Sequence, residues 1–130
     1  DVLDSGLNEP HWLKKPEIAQ IIYDSLLFIN SNDVEIHAFT IMSNHVHLLL
    51  KPNNSERPLF RILQSHKSYT AKQCNQLLGR TGQFWQEETY DHVVRNPDEF
   101  QRIVQYIVKN PVKAKLVSDW QTWRWTYVKP

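Results

Sequence analysis

The stretch VEIHAFTIMSNHVHLLLK, residues 34–51, decides the fold, because it contains two strand-like runs separated by a short polar segment. In the first run, residues 34–41, the apolar Val34, Ile36 and Ala38 alternate with polar residues. This period of two is typical of a β-strand with one buried face, so the three side chains are predicted to share that face.

The second run, His45 to Lys51, follows a turn at Ser43-Asn44, which predicts an antiparallel β-hairpin. Alternation places His45 and His47 on one face of the strand and apolar side chains on the other. At ~3.3 Å per residue, the two histidines are about 7 Å apart along the strand. Two imidazoles so placed can bind one divalent cation with coordination positions left open for substrate. The alternative, two half-buried histidines with hydrogen-bonded rings and no metal, stays open at this point.

Three helices and one further strand complete the predicted elements. Helical spacing of apolar residues predicts Pro16–Ile29 and Pro58–Leu78, and Asn96-Pro-Asp-Glu starts a third helix that runs to Asn110 and stops at Pro111. Tyr90 to Arg95 is a short strand-like segment. The order predicts an α+β fold, an antiparallel β-sheet with helices packed on one face.

Composition indicates one globular domain, residues 1–130. The chain is 41% hydrophobic, has a formal net charge of +1 and contains one cysteine, so no internal disulfide can form. No apolar run approaches the ~20 residues needed to cross a bilayer, and the N-terminus lacks a secretory pattern. We therefore expect a cytoplasmic protein with no membrane partner.

Two polar residues lie beside the apolar stripe of the third helix. Tyr106 and Asn110 are four residues apart, so they stack on one flank of that stripe and should border a cleft between helix and sheet. A phenol there can act as a nucleophile, and an amide oxygen one turn later can be a third metal ligand. Alternatively, Tyr106 is a core-edge residue and Asn110 ends the helix.

Several motifs together resemble the HUH single-stranded DNA endonucleases. Met42-Ser-Asn-His-Val-His-Leu-Leu-Leu50 resembles their histidine–hydrophobe–histidine signature. The downstream motifs resemble the single-tyrosine transposases, specifically the REP-associated branch: Phe84-Trp-Gln86, Tyr90-Asp-His92, Arg95 and Tyr106-Ile-Val-Lys-Asn-Pro-Val-Lys113. The resemblance covers about residues 34 to 126 and implies a ferredoxin-like or RNA-recognition-motif-like fold.

By this resemblance, His45, His47 and Asn110 bind a divalent metal, Mg²⁺ or Mn²⁺, and Tyr106 is the nucleophile. The implied product is a 5′-phosphotyrosine with a free 3′-hydroxyl, which a second 3′-hydroxyl can rejoin without ATP. The implied partner is single-stranded or hairpin DNA, which would place the protein at the nucleoid. Relatives can be homodimers that exchange the tyrosine helix, or monomers.

Two cationic stretches of the chain could attract a polyanion such as DNA, and an ordinary solvated face is the alternative that charge alone leaves open. No Asp or Glu occurs from Arg57 to Gln83, and Lys109, Lys113 and Lys115 form a second cationic cluster. Phosphate neutralisation and base stacking on an aromatic side chain are the expected interactions. We expect DNA contacts from Arg61, Lys67, Lys72, Trp85, Gln86, Arg95 and Lys113. For Trp85, packing in the core is an equal alternative.

Tyr69 and Tyr90 are rival nucleophiles, but Tyr69 lies in the cationic helix, and Tyr90 is in a predicted strand with less room to move. Two other functions also remain: a non-catalytic regulator that binds DNA hairpins, and a metal phosphodiesterase that activates water and forms no protein–DNA adduct.

The resemblance also implies a first strand beside the histidine strand, and nothing before Pro16 has that pattern. We expect that the chain is truncated at its N-terminus or that this strand was never part of it. A central sheet position would then be empty or filled by another chain.

Overall fold

The structure, a computed structural model, describes residues 11–30, 32–52, 56–85 and 97–130. Short 3₁₀ turns at Trp12–Lys14, Pro97–Glu99 and Trp120–Thr122 accompany the longer elements. The helices and strands are α1 (Pro16–Ile29), β1 (Val34–Ile41), β2 (Val46–Pro52), α2 (Leu59–Leu78), α3 (Phe100–Lys113) and β3 (Thr126–Val128). No helix in these described ranges is long and apolar enough to span a bilayer.

The first helix has the predicted bounds. Pro16 occupies the first turn of α1, where its missing N–H costs no hydrogen bond, and Glu17 lies at the positive end of the helix dipole. Ile18, Ile22 and Leu26 are fully buried at helical spacing. This apolar stripe holds α1 against the sheet.

The predicted hairpin is confirmed, with β2 beginning one residue later than expected. β1 and β2 are antiparallel, with Thr40 opposite His47 and Ile41 opposite Val46. The turn is closed by the N–H of Met42, which donates to the carbonyl of His45 at 2.8 Å. His45 is therefore the last residue before β2, and His47 is its second residue.

A β-bulge interrupts the alternation of β1. The register shifts between Ile36 and Ala38, so that Ile36 lies opposite Leu50 and Ala38 lies opposite Leu49. The prediction that Val34, Ile36 and Ala38 share one face is therefore wrong for Ala38, because the extra residue turns it to the other side.

A third strand, which the sequence patterns did not predict, comes from the C-terminus. β3 pairs antiparallel with β1, so the sheet order is β2-β1-β3. Thr40 and Thr126 are opposite each other, and their hydroxyl oxygens are 2.8 Å apart. The predicted strand at residues 90–95 lies outside the described residues.

Helices pack on both faces of the sheet, and not on one face as predicted. On one face, apolar residues of α1 and α2 form a core with Val46, Leu48 and Leu50 of β2. On the other face, Leu49 packs in a second cluster with residues of α3. Because adjacent strand residues point to opposite faces, this places α3 on the histidine side. The α+β class with an antiparallel sheet is confirmed.

The last helix does not stop at Pro111 as predicted. α3 continues to Lys113, with Pro111 buried inside it. A proline removes one backbone donor, but here only the final turn of the helix follows it. Two hydrogen bonds of 2.9 Å close this turn, from Ala114 N–H to the Asn110 carbonyl and from Leu116 N–H to the Pro111 carbonyl. Lys115, with φ of 62°, ends the helical path.

We expect Phe39→Ala to destabilise the domain by about 3–5 kcal/mol, because it removes a fully buried ring from the larger core. The Phe39 ring stacks on Tyr127 at 5.5 Å and meets the edge of Tyr23 at 5.2 Å. Urea unfolding measures the change. Phe28→Ala is the matched control, since Phe28 is 72% exposed and its loss should change stability by no more than about 0.5 kcal/mol. Equal losses in both variants would contradict this packing.

Candidate active site

Two imidazoles converge at the start of β2. The Nε2 atoms of His45 and His47 are 3.0 Å apart, and the rings are nearly perpendicular, at 89°. Both side chains are buried, His47 almost completely. Alternation along the strand puts the rings side by side, as the spacing predicted.

Asn44 sets the tautomer of His45. Its amide oxygen is 2.7 Å from His45 Nδ1, and because a carbonyl oxygen only accepts, Nδ1 carries the hydrogen. A neutral His45 then has its lone pair on Nε2, the atom that faces His47. Hydrogen bonds of this kind orient metal-binding histidines. From the sequence, Asn44 is predicted only as a turn residue; its amide, next to a candidate ligand, is the signal that could indicate this further role.

The spacing of the two nitrogens fits a shared cation. Two imidazole nitrogens at ~2.1 Å from one ion, at angles of 90–109°, would be about 3.0–3.4 Å apart, and 3.0 Å separates them here. Within the ranges that the structure describes, no group of three His, Cys, Asp or Glu side chains could hold a metal.

Tyr106 lies next to this pair. Val104, Ile107 and Val108 of α3 pack on Ala38 and Leu49 of the sheet, which holds the helix over the histidine face. Tyr106 is half-buried at the edge of this cluster, and its ring centre is 5.5 Å from that of His47, at 85°. The structure thus brings the predicted nucleophile to the predicted cation ligands within one chain.

Asn110 is one turn after Tyr106 and is half-buried. Its amide nitrogen donates to the Tyr106 carbonyl at 2.7 Å, which ties the side chain to its own helix. The amide oxygen is the atom that a cation would use. The assignment of Asn110 as a ligand stays a prediction.

The predicted DNA contacts fall on two sides of the sheet. Arg61 and Lys72 are exposed on α2, and half-buried Lys67 lies on the same helix, on the face away from Tyr106. Burial lowers the pKa of Lys67. Lys113 is exposed on α3, the helix that carries Tyr106. Gln86 and Arg95 lie outside the described residues.

Trp85 packs against the larger core, which is one of the two roles predicted for it. Its indole N–H donates to the Thr70 hydroxyl at 2.9 Å, and its ring packs against the larger core. It remains half-buried and lines an open groove of about 580 Å³ beside α2. Packing is therefore present, and base stacking stays a prediction.

The rival Tyr69 lies on α2, which packs on the opposite face of the sheet from α3. It is 55% exposed on α2 and lines a cavity of about 620 Å³ between α1 and α2, on the opposite face of the sheet from α3. Tyr90 lies outside the described residues. Of the two candidate nucleophiles within the described residues, Tyr106 and Tyr69, the structure brings Tyr106 to His47.

His66 is a buried histidine on the α2 side of the sheet. Its Nδ1 is 2.7 Å from the Ser25 hydroxyl, and burial lowers its pKa to about 4. In the unfolded chain a histidine has a pKa near 6.5. The neutral form is therefore favoured by folding, so this contribution to stability is complete above pH 6.5 and is lost as the pH falls towards 4.

We expect the free energy of unfolding to fall by about 2 kcal/mol between pH 7 and pH 5 through His66 alone. Urea unfolding at both pH values tests this, with His66→Gln as the non-titrating comparison. The variant should lose most of the pH dependence and keep a smaller part from His37, whose pKa is also lowered by burial. An unchanged pH dependence in His66→Gln would refute the assignment.

Comparisons with known proteins found one matching family model and similar transposases. Residues 12–110 match the family model described as "Transposase IS200 like". A Haemophilus influenzae protein assigned as a REP-associated tyrosine transposase is 30% identical over 98 residues, which cover 66% of this chain and 56% of that protein. The REP-associated tyrosine transposase of Escherichia coli K12 is 30% identical over 90 residues, covering 66% of this chain and 51% of that protein.

The chain thus spans about half the length of the curated relatives it matches. No solved structure matches it significantly. The family model includes the hairpin and its histidine pair, Tyr106 and Asn110. The chain belongs to the family of IS200-like transposases.

Proposed function

We propose that this domain cleaves and rejoins single-stranded DNA at hairpins, with Tyr106 as the nucleophile. The observation that supports this most directly is the contact of the Tyr106 ring with His47, whose Nε2 lies 3.0 Å from that of His45. Membership of a transposase family agrees with such chemistry. Because all three side chains come from one chain, the step does not require a partner subunit, although a homodimer remains compatible with it.

In the proposed step, the Tyr106 hydroxyl oxygen attacks the scissile phosphorus and the bond to the 3′ oxygen breaks. The phenol proton passes to solvent, and the leaving 3′ oxygen takes one up. The product is a 5′-phosphotyrosine with a free 3′-hydroxyl. Because the link keeps the energy of the phosphodiester bond, attack by another 3′-hydroxyl reverses the reaction and rejoins a strand without ATP.

His45 and His47 would hold the divalent cation, with Asn110 as the third protein ligand. When bound, the cation polarises the phosphate and offsets the negative charge that repels the nucleophile. Two imidazoles and an amide oxygen favour Mn²⁺ over Mg²⁺, which prefers oxygen ligands. His47 also positions the phenol, since its ring packs against that of Tyr106.

A denaturing gel tests the proposal. The protein is incubated with a labelled single-stranded hairpin and Mn²⁺, and a labelled band that migrates with the protein indicates a covalent adduct. The same reaction in EDTA should show no such band. Cleaved DNA without an adduct would indicate the water-activating phosphodiesterase, and tight binding without cleavage would indicate the hairpin-binding regulator.

A further inference from the structure

The solvent side of α3 carries cations and amides only. Between Phe100 and Ser118 the sequence contains no Asp or Glu. The exposed residues of the helix are Gln101, Arg102, Gln105, Lys109 and Lys113. A helix face of this composition attracts an extended anion along its whole length.

Three of these residues, Arg102, Lys109 and Lys113, form what we call the α3 ridge. An α-helix rotates by 100° per residue, so these three side chains point in nearly the same direction when viewed down the helix axis. That direction is opposite the buried stripe that contains Val104 and Ile107. At 1.5 Å per residue the α3 ridge is about 16.5 Å long. A stacked single strand with ~3.4 Å per nucleotide would place about five nucleotides along it.

Tyr106 lies beside this ridge and between its ends. Arg102 is one turn before Tyr106, about 6 Å along the axis, and Lys113 is two turns after it, about 10.5 Å along the axis. The helix is anchored to the sheet by its opposite side, so these positions are fixed relative to the histidine pair. A strand whose scissile phosphate reaches Tyr106 would therefore meet cations on both sides of that phosphate.

The ion pair already present on the ridge does not prevent this. Arg102 Nη2 lies 3.0 Å from Glu99 Oε1, and the Arg102 side chain is 74% exposed. Exposed pairs of this kind contribute little to stability, so a DNA phosphate can replace Glu99 at low cost. Lys109 and Lys113 are exposed on the same side.

We infer that the α3 ridge binds the backbone of the cleaved strand across the scissile phosphate, with Arg102 on one side of it and Lys109 and Lys113 on the other. The ligand class is a single-stranded polynucleotide backbone. This inference deepens the proposed function, since it relies on Tyr106 as the point of attack. An ordinary solvated helix face would give these cations no preferred phosphates.

The first test measures binding of a labelled hairpin oligonucleotide with single-stranded flanks, in EDTA, over a salt series. Each of Arg102→Gln, Lys109→Gln and Lys113→Gln should reduce the slope of log K against log [salt] by about 0.7, the value for one phosphate of a single strand. The matched control is Arg124→Gln, because Arg124 is exposed and bonds Gln20 of α1 on the other side of the sheet. Equal effects in all four variants would overturn the inference.

The second test locates the phosphates. Oligonucleotides that carry one neutral methylphosphonate at successive positions are bound to wild type and to each variant, which gives a double-mutant cycle for every pair. Arg102→Gln should couple to a phosphate on one side of the cleaved bond, and Lys113→Gln to phosphates on the other side. Coupling of both to the same position, or to none, would refute the assignment.

The two proposals can fail separately. Binding in EDTA does not require cleavage. If Arg102 and Lys113 couple to phosphates at different positions but no covalent band forms, the α3 ridge is retained as a strand-binding surface and the role of Tyr106 is rejected. A covalent band with no ordered coupling would retain the nucleophile and reject the ridge.

Discussion

Replacing Tyr106 with phenylalanine is expected to abolish the covalent protein–DNA band and to reduce strand cleavage by on the order of 10⁴-fold or more. The substitution removes only the hydroxyl that would attack phosphorus. The ring remains and keeps its packing against His47 and the α3 cluster. The loss should therefore appear in the chemistry and not in folding or DNA binding.

The comparison variant is Tyr69→Phe, which removes the same hydroxyl from an exposed ring on the other side of the sheet. It should cleave as well as wild type. Gel quantification of adduct and of free cleaved DNA, with circular dichroism to check folding, separates the outcomes. If Tyr106→Phe still forms the adduct, another residue is the nucleophile; if it cleaves without adduct, water is.

The second large effect concerns the cation. If the histidine pair binds Mn²⁺ as proposed, Mn²⁺ at about 100 times its dissociation constant should stabilise the wild-type domain by ~2.7 kcal/mol, because the pair is assembled only in the folded state. In His47→Gln this stabilisation should be absent, and the covalent band should be lost as well. Thermal unfolding with and without Mn²⁺ measures the first effect independently of DNA.

Tyr106→Phe is the informative control here, since it should keep the full Mn²⁺ stabilisation while losing the adduct. His45→Gln provides a second variant at a slightly less buried position, in case His47→Gln does not fold. A Mn²⁺ shift that persists in both histidine variants would show that the cation binds elsewhere.

Local sequence patterns predicted the elements whose signals are themselves local. α1 has its predicted bounds because Pro16 and a regular apolar stripe define it. α2 ends at Leu78 because Gly79 follows it with a φ of 66°, which suits glycine. β3 was missed because three residues carry little periodicity, and its position depends on pairing with β1, distant in the chain. The end of α3 is later than predicted because Pro111 lies in the last turn, where one backbone donor is lost and the hydrogen bonds that close the helix still form.

The centre of the candidate site was predictable for a similar reason. His45 and His47 are two residues apart on a strand, and Tyr106 and Asn110 are one turn apart on a helix, so local geometry already places each pair on one face. Which layer each helix occupies depends on tertiary packing. For that reason the sequence did not predict that Arg61 and Lys72 lie on the opposite face of the sheet from Tyr106.

Because β1 contains a bulge, the number of residues in the strand determines which face of the sheet each side chain occupies. With the bulge, Ala38 faces α3 while Phe39 faces the larger core, and Thr40 comes opposite His47. Removing His37 would restore regular alternation along β1. The residues on one side of the deletion would then turn their side chains to the wrong face of the sheet. Deleting His37 should therefore disrupt the packing of α3 on the sheet, and with it the position of Tyr106, more than any substitution of His37 would.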